Sequence, residues 1–223
     1  IDSVEYMENC RNRDKSILME GANGTMLDID HGTYPFVTSS NASIGGIASG
    51  SGLAPQKIDH TIGIVKAYTT RVGSGPFPTE LTDETGNALR EKGGEYGATT
   101  GRPRRCGWFD AIVVRYACLL NGITEINLTK LDVLSGMKKL KIATGYTYKE
   151  KTFTTFPADM EILENCQIEY EEFEGWQEPL NACKKFEDLP ENAKKYIQKI
   201  EELVKIPVKY IGVGQDRKEL IIR

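Results

Sequence analysis

The sequence predicts an α/β fold, with a mostly parallel central sheet flanked by helices and a smaller β-rich region towards the C-terminal end. Three observations carry this. Strand-like and helix-like segments alternate along residues 15–132, and a short apolar run leads straight into a glycine loop at residues 21–25. The strand-like TEINL at residues 124–128 then delivers Thr129-Lys130-Leu131-Asp132 at its C-terminal end, which is where open α/β sheets bind ligands.

Taken in order, residues 15–20 (KSILME) read as a short buried strand ending in Gly21-Ala22-Asn23-Gly24-Thr25. Residues 55–66 carry Ile58, Ile62 and Val65 at helical spacing, and residues 67–72 continue as an extended segment before the Gly/Pro stretch at 73–78. Residues 106–120 are an apolar run of helix length that stops at Asn121-Gly122, glycine being the residue that most easily takes the left-handed turn at a helix end. Residues 141–148 and 151–156 alternate aromatic, Thr and charged side chains around Lys149-Glu150 and predict a hairpin, with a further strand over 167–173. Residues 190–204 predict an amphipathic helix with Tyr196, Ile197, Ile200 and Leu203 inward, opened by a proline and left before Pro207. A last strand over 208–211 leads into Gly212-Val213-Gly214. The change of character after Asp132 divides the chain into residues 1–135, a central ligand-binding α/β part, and residues 136–223, a smaller α+β region. Internal repeats and low-complexity tracts are absent from the sequence.

With 223 residues, 39% of them hydrophobic, the chain can bury a substantial core. Its 28 basic and 32 acidic side chains leave a net charge of −4, which gives no polybasic face and argues against nucleic acid or an anionic membrane as the main partner. The five cysteines, Cys10, Cys106, Cys118, Cys166 and Cys183, are odd in number and form no CxxC pair, and neither a signal peptide nor an 18-residue apolar run occurs. They read as reduced thiols of a cytosolic protein. Only two histidines, His31 and His60, are present, too few for the usual zinc spacings.

The chemistry concentrates in Gly97-Ala98-Thr99-Thr100-Gly101-Arg102-Pro103-Arg104-Arg105. Guanidinium forks match carboxylate and phosphate oxygens two at a time, and glycines let backbone approach a ligand closely. Because the apolar run follows directly, the arginines are expected at or just before a helix N-terminus. Free N–H groups there attract an anion, while the helix dipole repels cations unless an anion sits between them. A solvated basic turn is the plain alternative. The tetrapeptide ending in Asp132 suits guanine: a carboxylate accepts from both N1–H and the exocyclic amine, a lysine stem covers the base face, and adenine lacks that donor pair. By itself it could also be a surface loop. Residues 28–41 pack Asp28, Asp30, His31 and several hydroxyls together, which fits a metal site or an acid/base pair; turn chemistry favours Asx-turns and helix caps instead.

Five runs in unbroken order resemble adenylosuccinate synthetase over nearly the whole chain: EGANGTMLDIDHGTYPFVTSSN (20–41), KAYTTRVGSGPFPTEL (66–81), GATTGRPRRCGW (97–108), LTKLD (128–132) and YIGVGQDR (210–217). The asparagine of EGANGT and the GVG tail resemble eukaryotic members. The resemblance implies a P-loop-NTPase-like sheet and GTP-dependent joining of L-aspartate to IMP through a 6-phosphoryl-IMP intermediate, with Mg²⁺, in a cytoplasmic homodimer. It implies that Asn23, Thr38 and Arg102 contact IMP, and that Ala98, Thr99, Thr100, Gly101, Arg102, Pro103 and Arg104 form the aspartate loop. Arg104, Lys130, Leu131, Asp132, Gly212, Val213 and Gly214 would hold GTP. Bacterial members usually have another basic residue where Pro103 stands.

The family's polypeptide begins with a glycine-rich phosphate loop of the type GDEGKGK, which holds the general-base aspartate and Mg²⁺ ligand, and a catalytic histidine follows. No GxxxxGK-like sequence occurs in this chain, so it resembles the family's C-terminal half, with catalytic and Mg²⁺-binding residues expected outside it. Two other readings stand beside the ligase: a non-catalytic fragment, and a GTP-binding module of the GTPase kind, in which the arginine loop and residues 28–41 would have no role.

Overall fold

The computed structural model describes residues 1–98 and 101–223. Helix α1 (Ser3–Arg11) opens the chain, capped by the Asp2 side chain, which accepts from the Glu5 N–H at 3.1 Å. Residues 15–20 form no strand, contrary to expectation, and Leu18 is 91% exposed. A short apolar run becomes a strand only where a neighbour completes its hydrogen bonds, and none of the described strands pairs with this one. Helix α2 (Ile44–Ser51) follows. The helix expected over 55–66 is also absent: a 3-10 turn, Pro55–Lys57, precedes strand β1 (Ile62–Lys66). Ile62, Ile64 and Val65 are β-branched and Gly63 interrupts them, a composition that favours the pleated strand over helix.

Strand β2 (Thr69–Arg71) continues the extended segment, and helix α3 (Glu84–Gly93) runs from an Asp83 cap to Gly94 in the left-handed conformation, φ 59°. Strands β3 (Arg105–Gly107) and β4 (Phe109–Asp110) precede helix α4 (Ala111–Asn121), which ends at left-handed Gly122 as its sequence predicts. The arginines therefore do not stand at the helix N-terminus. That end belongs to Asp110, whose Oδ1 accepts from the N–H groups of Ile112 and Val113 at 3.1 and 3.2 Å.

Strand β5 (Glu125–Thr129) lies where predicted, as do the β6 (Lys139–Tyr148) and β7 (Lys151–Phe153) hairpin, turned at Lys149 and Glu150 with positive φ. Helix α5 (Met160–Asn165), strand β8 (Gln167–Glu174), helix α6 (Glu191–Val204), strand β9 (Val208–Gly212) and strand β10 (Leu220–Ile222) complete the chain.

The central sheet has the order β1-β5-β9-β10, its first three strands parallel and β10 antiparallel. A second sheet sets β4, β7 and β8 against β6, and β2 pairs with β3. Helix α6 buries Ala193, Tyr196, Ile197, Ile200 and Val204 in the same cluster as Ile126, Leu128 and Ile211 of the central sheet. Strand β9 thus enters, from the second part of the sequence, the sheet begun by β1 and β5.

Candidate functional site

Parallel strands end on one side of their sheet, so their following loops share an edge. Lys66 closes β1, Thr129 closes β5, and the two are register partners. Gly212 closes β9, where a Cβ would stand 3.4 Å from the Thr129 Cα.

Beyond Thr129 the backbone turns left-handed at Lys130, φ 63°, into the 3-10 segment Leu131–Leu134. Leu131, Val133 and Leu134 are buried and anchor the turn, while Lys130 Nζ donates to the Gly93 carbonyl at 2.8 Å. Asp132 Oδ1 is buried and accepts no hydrogen bond among the described residues. Burial pushes its carboxyl up, while Lys130 and Lys92 pull it down. Alongside, Val213 is fully buried and its N–H donates to the Glu219 carbonyl at 2.9 Å. Gly214 faces the Glu219 carboxylate so closely that a Cβ would fall 2.3 Å from Oε2. Lys130, Leu131, Asp132 and Gly212 therefore meet at the sheet edge, with Val213 and Gly214 next along the chain.

The arginine loop lies across the end of β1. Its turn is closed by Gly97 N–H to the Arg102 carbonyl at 2.9 Å and Gly101 N–H to the Gly97 carbonyl at 2.8 Å, with Gly101 at φ 64°. Thr99 and Thr100 lie outside the described residues. Ala98, Arg102 and Pro103 are exposed, and Pro103 bridges Tyr96. Arg104 and Arg105 turn to different partners. Arg105 grips Glu80 with Nε and Nη2 at 2.8 and 2.5 Å and donates Nη1 to the Gly75 carbonyl at 2.8 Å, which makes it a strut for the 73–78 loop. Arg104 instead turns to the sheet edge and meets Glu95 at 2.8 Å.

Glu95, 1% exposed, is the centre of a network that local sequence patterns do not reveal. Lys66 Nζ reaches both its oxygens at 2.8 Å, and Tyr68 OH donates to Oε1 at 2.6 Å. Burial pushes the Glu95 carboxyl up, but donation from Lys66, Tyr68 and Arg104 outweighs it and holds the group ionised, below the usual range. The nearest signal in sequence was the position of Glu95 two residues before Gly97.

A cavity of about 670 Å³ opens beside this network, its wall including Asn23, Lys66, Thr70, Arg71 and Arg104. Thr38 is not one of the wall residues; its N–H donates at 2.8 Å to the carbonyl of Leu27, which is. The cluster at 28–41 is built as turn and cap. Asp28, fully buried, accepts through Oδ1 from Asp30 and His31 N–H, both at 2.9 Å, and through Oδ2 from Ala42 and Ser43 N–H at 2.7 and 2.9 Å. Burial raises its carboxyl, and these four donors more than reverse the effect. Among the described residues, no group of three or more His, Cys, Asp or Glu side chains is placed to hold a metal ion. None of the described helices is long and apolar enough to cross a membrane.

The family model for adenylosuccinate synthetase matches residues 1–221. Adenylosuccinate synthetase of Thermodesulfovibrio yellowstonii is 56% identical over 209 residues, which is 94% of this chain and 49% of that protein. The chloroplastic adenylosuccinate synthetase 2 of Sorghum bicolor is 54% identical over the full 223 residues, covering 46% of its own length. The fully ligated adenylosuccinate synthetase from Plasmodium falciparum superposes over all of this chain and 54% of that one, with a TM-score of 0.97 at 47% identity. A cyanophage S-2L succinoaminodeoxyadenylate synthetase shares the fold at a TM-score of 0.60 and 19% identity. The chain spans about half the length of the curated relatives it matches.

Proposed function

Because the chain belongs to the adenylosuccinate synthetase family, we propose that it supplies the guanine- and aspartate-recognising part of an enzyme that joins L-aspartate to IMP at the expense of GTP. The observation that carries this reading is the unpartnered, buried Oδ1 of Asp132 at the C-terminal edge of a parallel sheet. A buried acceptor without a donor is costly, and the N1–H and amine of guanine are the donors it lacks. Lys130, Leu131, Gly212, Val213 and Gly214 flank that position and complete the GTP reading.

In the proposed reaction the IMP 6-oxygen takes the γ-phosphoryl group of GTP, leaving GDP. The aspartate amine then attacks C6, phosphate departs with the C–O bond, and the amine proton passes to a base. Asn23, Thr38 and Arg102 serve IMP. Residues 98–104, with Arg102 and Arg104 as cationic forks, hold the aspartate carboxylates, and orientation of the amine towards C6 follows from that grip. Mg²⁺ supplies charge neutralisation to phosphoryl transfer in such chemistry. The Mg²⁺ ligands, the phosphate loop and the catalytic acid and base are assigned to polypeptide outside this chain, because the GxxxxGK-like phosphate loop of the family has no counterpart in this sequence. The working protein is proposed to be a homodimer. Five free cysteines suit a reducing compartment such as the cytoplasm.

The test is product formation by the full-length polypeptide that contains this chain. With IMP, aspartate, Mg²⁺ and GTP, mass spectrometry should find adenylosuccinate, GDP and phosphate, and omission of any one substrate should abolish all three. Binding of GTP without any product would instead favour a guanine-nucleotide-binding module.

A further inference from the structure

A turn after helix α3 touches both halves of the proposed site. Helix α3 ends at Gly93-Gly94-Glu95. The Gly93 carbonyl receives Lys130 Nζ from the guanine-facing segment at 2.8 Å. Two residues on, Glu95 receives Arg104 of the aspartate loop through Nη1 at 2.8 Å, and its carbonyl also accepts the Arg104 N–H at 2.9 Å. Gly93 is required by this packing, because a Cβ there would fall 2.2 Å from the Tyr68 hydroxyl.

Glu95 itself cannot be a ligand contact. Its Oε1 accepts from Lys66 and Tyr68, its Oε2 from Lys66 and Arg104, and the residue is 1% exposed. With both oxygens fully used, it can act on a substrate only through the groups it holds. Those groups are cations at the cavity wall: the side chains of Lys66 and Arg104 are 27% and 31% exposed, against one carboxylate between them. One positive charge is therefore left over, on the side open to the cavity. Glu95 engages Arg104 by Nη1 alone, which leaves the rest of the fork to meet an anion. Holding a long side chain in place beforehand removes ordering that would otherwise accompany binding.

We propose that Glu95 is a positioning residue for aspartate capture, orienting Arg104 and tying its place to the guanine-facing turn through Gly93 and Lys130. This rests on the reading of Arg104 as an aspartate contact. Its failure is separable from the failure of that reading, because the two are read in different experiments on the same full-length protein.

The experiment compares steady-state kinetics of the full-length enzyme with Glu95→Gln, Glu95→Asp, Arg104→Leu and the Glu95→Gln/Arg104→Leu double variant. Glutamine keeps the shape but loses the charge. The aspartate KM should rise about tenfold to a hundredfold, the scale of one charge-assisted hydrogen bond, while the IMP KM stays within about twofold. Glu95→Asp should recover part of the loss. The double variant should be no worse than Arg104→Leu alone within about threefold, because the two residues act as one unit. Should Glu95→Gln fail to fold, Tyr68→Phe removes one donor from the same carboxylate and should raise the aspartate KM in the same direction. An unchanged aspartate KM, an equal loss for all three substrates, or fully additive losses in the double variant would overturn the proposal. A wild-type full-length protein that forms no adenylosuccinate would refute the function itself.

Discussion

Asp132 presents a buried carboxylate oxygen that accepts no hydrogen bond among the described residues, in the segment that follows β5 at the sheet edge. In the full-length protein, Asp132→Asn should therefore lower kcat/KM for GTP by about ten- to a hundredfold, the worth of a buried charged hydrogen bond, and raise use of xanthosine triphosphate, which accepts where guanine donates. An unchanged GTP-to-XTP ratio would remove Asp132 as the base reader. Arg102→Leu should raise the aspartate requirement and lower turnover together if the side chain serves both reactants, and lysine should substitute poorly because a point charge does not reproduce the fork. Wild-type aspartate saturation in the leucine variant would contradict that role. Asp28 makes the opposite kind of statement, about stability. Its folded carboxyl is held below the ordinary value by four backbone N–H groups despite burial, so its contribution is complete above the unfolded pKa and is lost as pH falls through the folded one. Asp28→Asn, which turns an amide NH₂ towards two of those donors, should cost about 1–3 kcal/mol at pH 7 and less in acid, read as a Tm difference that shrinks as pH falls.

At the level of elements, what was legible in sequence was what is local. The β6–β7 hairpin, β8, α6 and β9 carry a strong period or a clear punctuation within a few residues, and they stand where that pattern puts them. Residues 55–66 misled because Ile58, Ile62 and Val65 match helical spacing, while the edge of a parallel sheet rewards the β-branched residues of IGIVK. Helix α3 was silent because ETGNALREKG holds only Ala88 and Leu89 as apolar side chains, and its caps, Asp83 and Gly94, carry it instead. The segments 130–132 and 212–214, proposed to hold guanine, were legible as motifs because each is contiguous in sequence. Glu95 was not, since Lys66 and Tyr68 lie 29 and 27 residues away, and Arg105 found Glu80 at a separation of 25. The cap of α4 offers a test at this scale. Burial pushes the Asp110 carboxyl up to about 6, although Tyr146 OH and two backbone N–H groups oppose it. A raised folded pKa contributes stability that is complete below the unfolded value and lost as pH rises through about 6. Asp110→Asn keeps an acceptor for the helix and removes the buried charge, so its Tm relative to the parent should improve between pH 4.5 and pH 8, windows set by that ~6 and the ~4 of a free carboxyl. A difference independent of pH would contradict this.

Across the whole molecule, the central sheet is covered unequally. Its α6 side is sealed, while Ile64 of β1 and Ile222 of β10 are 70% and 65% exposed. Parallel sheets normally bury both faces, and the relatives are about twice as long. If the remaining polypeptide lies on that face, Ile64→Lys should destabilise the full-length protein by about 2 kcal/mol while leaving the Tm of the isolated chain nearly unchanged. Equal effects in both would place the cover elsewhere. The division of labour proposed here, recognition in this chain and phosphoryl chemistry outside it, is tested most directly by the isolated chain itself. Incubated with IMP, aspartate, GTP and Mg²⁺, and shown by intact mass to be free of any companion polypeptide, it should form no adenylosuccinate under conditions where the full-length protein does. Sustained turnover by this chain alone would contradict the account.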